Sequence, residues 1–460
     1  MTPAIQNDQR LPTRPRLTAV TRSGVTEITR PQLALVALLA LAGSLAMLWL
    51  QPWNVTLSDW GTESRVPLND LLHGHVIKFL GLAPPYGPSL ELRAPFALLA
   101  SLAGGSARLV YRFSALPCLL ALAGLAVWIA PRLRRGGAGW FAVALTVAVC
   151  VANPLTYYAL LIGHPEEILG GVLCVVAVLS AMRGHATWAG LLLGAAIANK
   201  DWALVAIGPV LFALPAHRLR ALVIAGVVAA ALLGPIALVS YDLKIASARI
   251  SANDTGGIFY TQQLWWFFGT PGHWVPAMRG QIIQGFRLPP SWLQGRAHLL
   301  IVWIGLPLTL IARARRRPRE SALLLLVMLL LLRCMLDPWD LIYYPIPFVI
   351  ALLSWETTVK RRAPVGALVA SLAAWAIFKY LPAHLSANQQ ALSFIIPSVA
   401  ALAVIAAGVY RRRDSAETSA FAEQSHSTTS SSLVNWLNRR APSASTTTRS
   451  SIRTPSVPGR

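Results

Sequence analysis

The segment Gly163-His164-Pro165-Glu166-Glu167 places an imidazole and two carboxylates side by side, and Lys200-Asp201 sets another cation against an acid. A positioned carboxylate can take a proton from a hydroxyl, and imidazole, ammonium and guanidinium groups can stabilise an oxyanion or a phosphate. Other segments offer the same groups. Asp59 lies shortly after the first apolar run, and Asp70 has Asn69, His73, His75 and Lys78 around it. Arg93 sits in Leu90-Glu91-Leu92-Arg93-Ala94-Pro95-Phe96, and Gln263 and Trp266 in Gln262-Gln263-Leu264-Trp265-Trp266-Phe267-Phe268-Gly269. Asp337 and Asp340 bracket Pro338-Trp339.

Each group also has a plainer reading. Proline suits a first helical turn, and carboxylates there are favoured by the helix dipole, so Pro165-Glu166-Glu167 reads equally as a helix start. Asp59 reads as a turn residue. Lys200 with Asp201, or Arg93 with Glu91, reads as a local ion pair. The segment around Asp70 reads as an interfacial helix on which Asn69, Asp70 and His73 share one side, and the tryptophans as an interfacial belt.

The elements that must position these groups are apolar runs. Twelve occur, at about 31–50, 108–131, 139–156, 166–183, 186–199, 202–216, 221–240, 297–313, 320–336, 341–355, 363–381 and 391–410. Apolar residues make up 55% of the 460, charged residues 13%, and the mean hydropathy is +0.55. Soluble domains carry about a quarter charged residues, and about 20 apolar residues cross a bilayer core of ~30 Å. The chain reads as an all-α polytopic membrane protein with about twelve transmembrane helices. The pair 186–199 and 202–216 is short enough to be a re-entrant hairpin instead.

Alternate connections differ in charge. Arg132, Arg134, Arg135, Arg183, Arg218, Arg220, Arg313, Arg315, Arg316, Arg317, Arg319, Lys360, Arg361 and Arg362 share one set of short loops with only two acids, Glu320 and Glu356. The positive-inside rule makes that set cytoplasmic, together with both termini, in a cell membrane protein. The net charge of +22 is then a topology signal, and nucleic acid is excluded as the partner. Eleven of the eighteen acids fall on the other side, where the long loops 51–107 and 241–296 also lie. Any chemistry belongs there. Arg333, near the outer end of its run, is expected to snorkel to the interface.

Residues 1–30 read as a cytoplasmic polar segment carrying five arginines, and the run after them as an uncleaved anchor. Residues 31–410 form the transmembrane domain, and 411–460, rich in Ser, Thr, Arg and Pro, a disordered cytoplasmic tail. Cys118, Cys150, Cys174 and Cys334 all lie within apolar runs, which points to packing and to neither disulfides nor zinc. No metal and no cofactor are expected.

Gly163-His164-Pro165-Glu166-Glu167, the apolar run ending at Arg183, and Ala189-Gly190-Leu191-Leu192-Leu193-Gly194-Ala195-Ala196-Ile197-Ala198-Asn199-Lys200 together resemble the central block of glycosyltransferase family 87. That family comprises mannosyltransferases of the GT-C fold that use a polyprenyl-phosphate sugar. In the first outer loop the sequence departs from the family pattern: Asp59 is followed by Trp60-Gly61-Thr62, with only Gly74 and Tyr86 matching the later part, so a divergent member is expected. The resemblance implies transfer of a hexose, mannose in the family, from a lipid-linked donor to an extracytoplasmic glycolipid or polysaccharide. Nucleotide sugars stay in the cytoplasm, so a site outside it needs a donor that arrives within the membrane.

The resemblance also assigns roles. Asp59 is the expected base, with Asp70 second. The same resemblance makes Lys200 a candidate for the donor phosphate. By their own chemistry, Glu166 and Glu167 are candidates for sugar hydroxyls, His164 and Arg93 for the donor phosphate, and Gln263, Trp266, Asp337 and Asp340 for a sugar ring. A transporter or flippase of lipid-linked sugars, or a noncatalytic cell-envelope protein, would fit the same composition. A continuous polar path through the membrane would mark the transporter, and acids gathered at one interface the enzyme.

Overall fold

The computed structural model describes residues 27–50, 58–240, 260–271, 287–288, 290–293, 296–315, 319–338 and 340–411. Most of the N-terminal segment 1–30, most of the loop 241–296, Arg316, Arg317, Trp339 and all but the first residue of the tail 411–460 lie outside these. Met1–Tyr410 group as one compact unit.

The described chain is helical, apart from a two-residue antiparallel pairing of β1 (Thr270–Pro271) with β2 (Arg287–Leu288). Among the described residues, six helical stretches are long and apolar enough to cross a membrane: Arg30–Leu50, Ala107–Arg135, Trp140–Ile162, Arg218–Val239, Val365–Ala383 and Ala387–Tyr410. The other apolar runs form shorter helices, including Glu166–Met182, Ala186–Asn199, Ser321–Leu336 and Ile346–Thr358.

In chain order, α1 (Arg30–Leu50) is followed by a widened π turn Trp60–Ser64, then α2 (Arg65–Leu72), α3 (Val76–Leu82), α4 (Gly87–Leu102) and α5 (Ala107–Arg135). Next come α6 (Trp140–Val151), α7 (Pro154–Ile162), α8 (Glu166–Met182) and α9 (Ala186–Asn199). A 3-10 turn Asp201–Ala206, α10 (Ile207–Ala213) and α11 (Arg218–Val239) close the first half. The second half holds a 3-10 turn Leu264–Phe268, α12 (Ala297–Ala314), α13 (Ser321–Leu336), α14 (Ile346–Thr358), α15 (Val365–Trp375) and α16 (Ala387–Tyr410).

Two local features set the site. The junction of α7 and α8 turns on Gly163, whose φ of +109° ends α7 in the left-handed region that favours glycine. Pro165 then starts α8. Within α9, Gly190 and Gly194 let the helix pack directly on α11: a Cβ at either would come within 2.6 Å of the carbonyl oxygens of Ala221 and Ala225 respectively. Small residues four apart on facing helices are the usual means of close packing between apolar helices. The chain leaves α9 at Lys200 in extended conformation, which frees the lysine side chain from the helix surface.

Arg132, Arg183 and Arg361 lie at the far end of α8 from its two glutamates. The Arg132 and Arg183 guanidinium groups lie 3.5 Å and 4.8 Å from the centre of the same Trp128 ring. Arg361 packs against Gly136, in the connection after α5. These three arginines are thus separated from the two glutamates by the length of α8, about 25 Å at the usual helical rise.

Candidate active site

Five segments far apart in sequence converge where α8 begins. His164 is buried between the rings of Tyr343, centroid to centroid 4.8 Å, and Tyr86, 5.6 Å edge-on. Its Nε2 lies 3.0 Å from Asp59 Oδ2 and its Nδ1 2.6 Å from Glu166 Oε1. Asp59 precedes the π turn, whose Trp60 packs on Tyr111 of α5, centroids 4.8 Å apart. Burial by itself would lower the His164 pKa. The Glu166 charge and the hydrogen bonds to Asp59 and Glu166 outweigh it, and Lys200 opposes them only in part, so the group is raised to about 9. Each ring nitrogen thus faces a carboxylate oxygen, an arrangement that favours the doubly protonated ring.

Glu166 and Glu167 divide the cations between them. Arg93 of α4 reaches Glu166 Oε2 at 3.5 Å, Lys200 Nζ lies 3.6 Å from Glu166 Oε1 and 3.5 Å from Glu167 Oε1, and Arg333 of α13 lies 3.5 Å from Glu167 Oε2. Lys200 Nζ also stands 4.3 Å above the Tyr86 ring. Asn199 Nδ2 donates to the Glu166 carbonyl at 2.8 Å, and Gly170 gives it room: a Cβ there would stand 2.9 Å from the amide nitrogen. These ion pairs are long. Arg93 Nη1 and Nη2, Glu166 Oε2, both Glu167 carboxylate oxygens and Arg333 Nε are buried with no hydrogen-bond partner among the described residues. Buried charges ordinarily need such bonds, so the cluster has open hydrogen-bonding capacity on both its acidic and its cationic groups.

A cavity of about 120 Å³ opens beside it, lined at its polar end by Glu167, Lys200, Arg333 and Asp337. Asp201, Trp202 and Tyr344 also line it, and the remaining walls are apolar, from Leu204, Val205, Ile301 and Val302, of which Leu204 and Val302 are exposed. The cavity therefore sets two cations and three acids beside exposed apolar side chains.

Of the residues singled out in the sequence, Asp59, Arg93, His164, Glu166, Glu167 and Lys200 form one continuous chain of contacts, and Asp337 lines the adjoining cavity. Asp70 stands apart with His75, 3.4 Å away. The helix on which Asp70 and His73 were to share a side ends at Leu72, and the chain turns at Gly74 with φ +77° before α3. Lys200 pairs with the two glutamates, while Asp201 accepts the backbone N–H of Trp202 at 2.8 Å. Arg93 meets Glu166, so neither local pair carries the plainer reading. Arg333 does not snorkel. It is buried, holds Glu167 and donates to the Tyr344 carbonyl at 3.1 Å.

The second-loop aromatics split. Trp265 and Trp266 are buried and donate to the Leu336 carbonyl and Asn388 Oδ1, each at 2.9 Å, while Phe267 and Phe268 are exposed. Gln263 is fully buried, and its amide has no hydrogen-bond partner among the described residues. Asp340 is fully buried; desolvation and then the charge of Asp337 push its pKa well above the carboxylate range. Sequence reasoning missed Tyr343 and did not assign a role to Tyr86, whose hydroxyl donates to Glu63. No spacing rule connects either tyrosine to His164.

The chain belongs to glycosyltransferase family 87, whose family model matches residues 86–338. It is therefore a membrane glycosyltransferase, acting on a sugar donor and an acceptor. The matched stretch contains Arg93, His164, Glu166, Glu167, Lys200 and Arg333, and begins after Asp59. No curated protein and no solved structure matches the chain.

Proposed function

We propose that the protein transfers a hexose, mannose by family resemblance, from a polyprenyl-phosphate donor to a glycolipid or polysaccharide acceptor on the extracytoplasmic side of the cell membrane. The proposal includes a GT-C architecture of about twelve crossings, with residues 1–30 and 411–460 in the cytoplasm. Asp59 takes the proton of the acceptor hydroxyl, Lys200 and Arg333 hold the donor phosphate, and Arg93, Glu166 and Glu167 keep these groups charged and in place. Gln263, Trp266, Asp337 and Asp340 belong to the walls of the site, and Asp70 to its outer rim.

One observation carries this reading: Asp59 and the cation-lined cavity are joined through His164, Glu166 and Lys200 by contacts of 2.6 to 3.6 Å. A base that is part exposed and a phosphate site with an apolar mouth are what a water-side acceptor and a membrane-side donor require. Transfer forms a bond from the acceptor oxygen to the anomeric carbon, breaks the bond from that carbon to the phosphate oxygen, and leaves the electron pair on the lipid phosphate. The acceptor proton goes to Asp59. Holding the two reactants together supplies much of the acceleration, and the cations stabilise the leaving phosphate.

The test is turnover by purified protein in nanodiscs. A polyprenyl-phosphate sugar should be consumed and the matching nucleotide sugar ignored. Transfer from the nucleotide sugar in a preparation free of polyprenyl carriers would overturn the donor assignment.

A further inference from the structure

We infer that His164 is a positioning residue: a fixed imidazolium that clamps one oxygen of Asp59 against the Glu166 carboxylate and leaves the other oxygen to meet the acceptor hydroxyl. The inference deepens the proposed function and rests on Asp59 being the base.

The geometry is that of a relay whose middle member cannot move. Nε2 donates to Asp59 Oδ2 at 3.0 Å and Nδ1 to Glu166 Oε1 at 2.6 Å, so both ring protons are committed. The rings of Tyr86 and Tyr343 fix the imidazole plane. Glu166 is in turn fixed by its position at the start of α8, by Arg93 at 3.5 Å and by Lys200 at 3.6 Å. Asp59, by contrast, is part exposed, sits before a π turn, and makes its contact to this cluster through His164 alone among the described side-chain hydrogen bonds and ion pairs. A carboxylate on so short a turn would otherwise sample several rotamers. The imidazolium removes that freedom and also supplies a positive charge to one oxygen.

The groups facing the ring are Asp59 from the outer loop, Tyr86 before α4, Glu166 of α8, Lys200 after α9 and Tyr343 before α14. Two carboxylates against one ammonium favour the charged ring. The consequence for the reaction is a division of labour. The acceptor proton passes to the free Asp59 oxygen and leaves from there to water. His164 keeps both of its protons throughout, so it is neither the base nor a shuttle.

Two measurements test this on the full chain in nanodiscs. Nitrogen-15 spectra of histidine-labelled protein, with the His164 signal assigned by its loss in His164→Gln, should show two protonated ring nitrogens at pH 7.5. A neutral ring there overturns the inference whatever the activity data show. The second measurement is a double-mutant comparison under single-turnover conditions. His164→Gln, which keeps one donor and loses the charge, should slow transfer by roughly 10- to 10²-fold, less than the loss of an acid–base group itself, with donor KM changed by less than twofold. In the Asp59→Asn background the same substitution should cost nothing further, because a residue acting through another is not additive with it.

Additive losses would place His164 on the donor phosphate and overturn the positioning role. Near-normal turnover of Asp59→Asn with an intact imidazolium signal would overturn the base assignment in the proposed function and leave the ionic clamp as a structural fact. The two failures are therefore distinguishable.

Discussion

Gly163 packs so tightly on Trp60 that a Cβ added to it would stand 2.5 Å from the Trp60 backbone nitrogen. The contact ties the turn after Asp59 to the turn that carries His164, and the same glycine has a φ of +109° that other residues rarely adopt. Gly163→Ala should therefore displace Asp59 from His164 and strain the backbone, at a cost of roughly 1–3 kcal/mol for such a conformation. The expected result is a lower thermal midpoint and at least a tenfold loss of turnover. Gly124→Ala, where a Cβ meets nothing within 4 Å, is the control and should change neither. Equal behaviour of the two variants would remove Gly163 from the account of the site.

Asp59→Asn keeps size and hydrogen bonding but cannot accept a proton. Turnover should fall by roughly 10²-fold or more, the scale of general base catalysis, with donor binding largely kept. Asp70→Asn, which alters only the contact with His75 among the described ion pairs, should do less. Membrane expression must be matched. A dead Asp70→Asn beside an active Asp59→Asn would transfer the role to Asp70.

Lys200→Ala should chiefly raise donor KM, because a phosphate partner acts on the ground state as well as the transition state. Arg333→Leu should fare worse and fail to fold, since it leaves the buried Glu167 carboxylate with Lys200 as its one cation among the described ion pairs; breaking a buried pair costs about 3–5 kcal/mol. The paired change Glu167→Gln with Arg333→Gln removes both charges and should recover expression without recovering donor affinity. Expression levels and donor titration separate the two effects. Normal folding of Arg333→Leu would show that Glu167 does not depend on it.

The raised His164 pKa makes stability depend on pH. The folded protein holds the ring's second proton more tightly than the unfolded chain, where histidine titrates near 6.5. That stabilisation is fully present below about pH 6.5 and is lost as pH rises through the folded value of about 9. Thermal midpoints in detergent should decline across this window. The decline should be shallower in His164→Gln, and parallel curves for the two proteins would contradict a histidine that titrates high.

Cysteines placed at Thr62 and Gly139, both exposed and near opposite clusters, report the topology. The native cysteines are buried and should stay silent. An impermeant thiol reagent on intact cells should label the first site and spare the second. The reverse pattern would put the acid cluster in the cytoplasm and remove the reason for a lipid-linked donor.

The apolar runs and the alternating charge of the loops were legible because hydropathy and positional charge are local properties of a chain. His164, Glu166, Glu167 and Lys200 were legible because their segments resemble a known family. The partners of these residues were not. His164 meets Asp59 across 105 positions of sequence, and no periodicity reports such a contact. Arg333 looked like a lysine-like snorkelling group because its place near a helix end is all that sequence gives, whereas its buried carboxylate partner lies on another helix. Trp265 and Trp266 looked like surface aromatics, but each indole N–H finds an acceptor in the interior, which lets the whole ring be buried.

The pairing of Glu167 with Arg333 has a consequence for biogenesis. Glu167 lies on a helix from the first half of the chain and Arg333, one of its two counter-ions, on one from the second half, so during synthesis the glutamate is made well before the arginine exists. Until the later helix inserts, Lys200 is the cation of the early half that faces this glutamate, so its full set of charged partners forms only once both halves are in place.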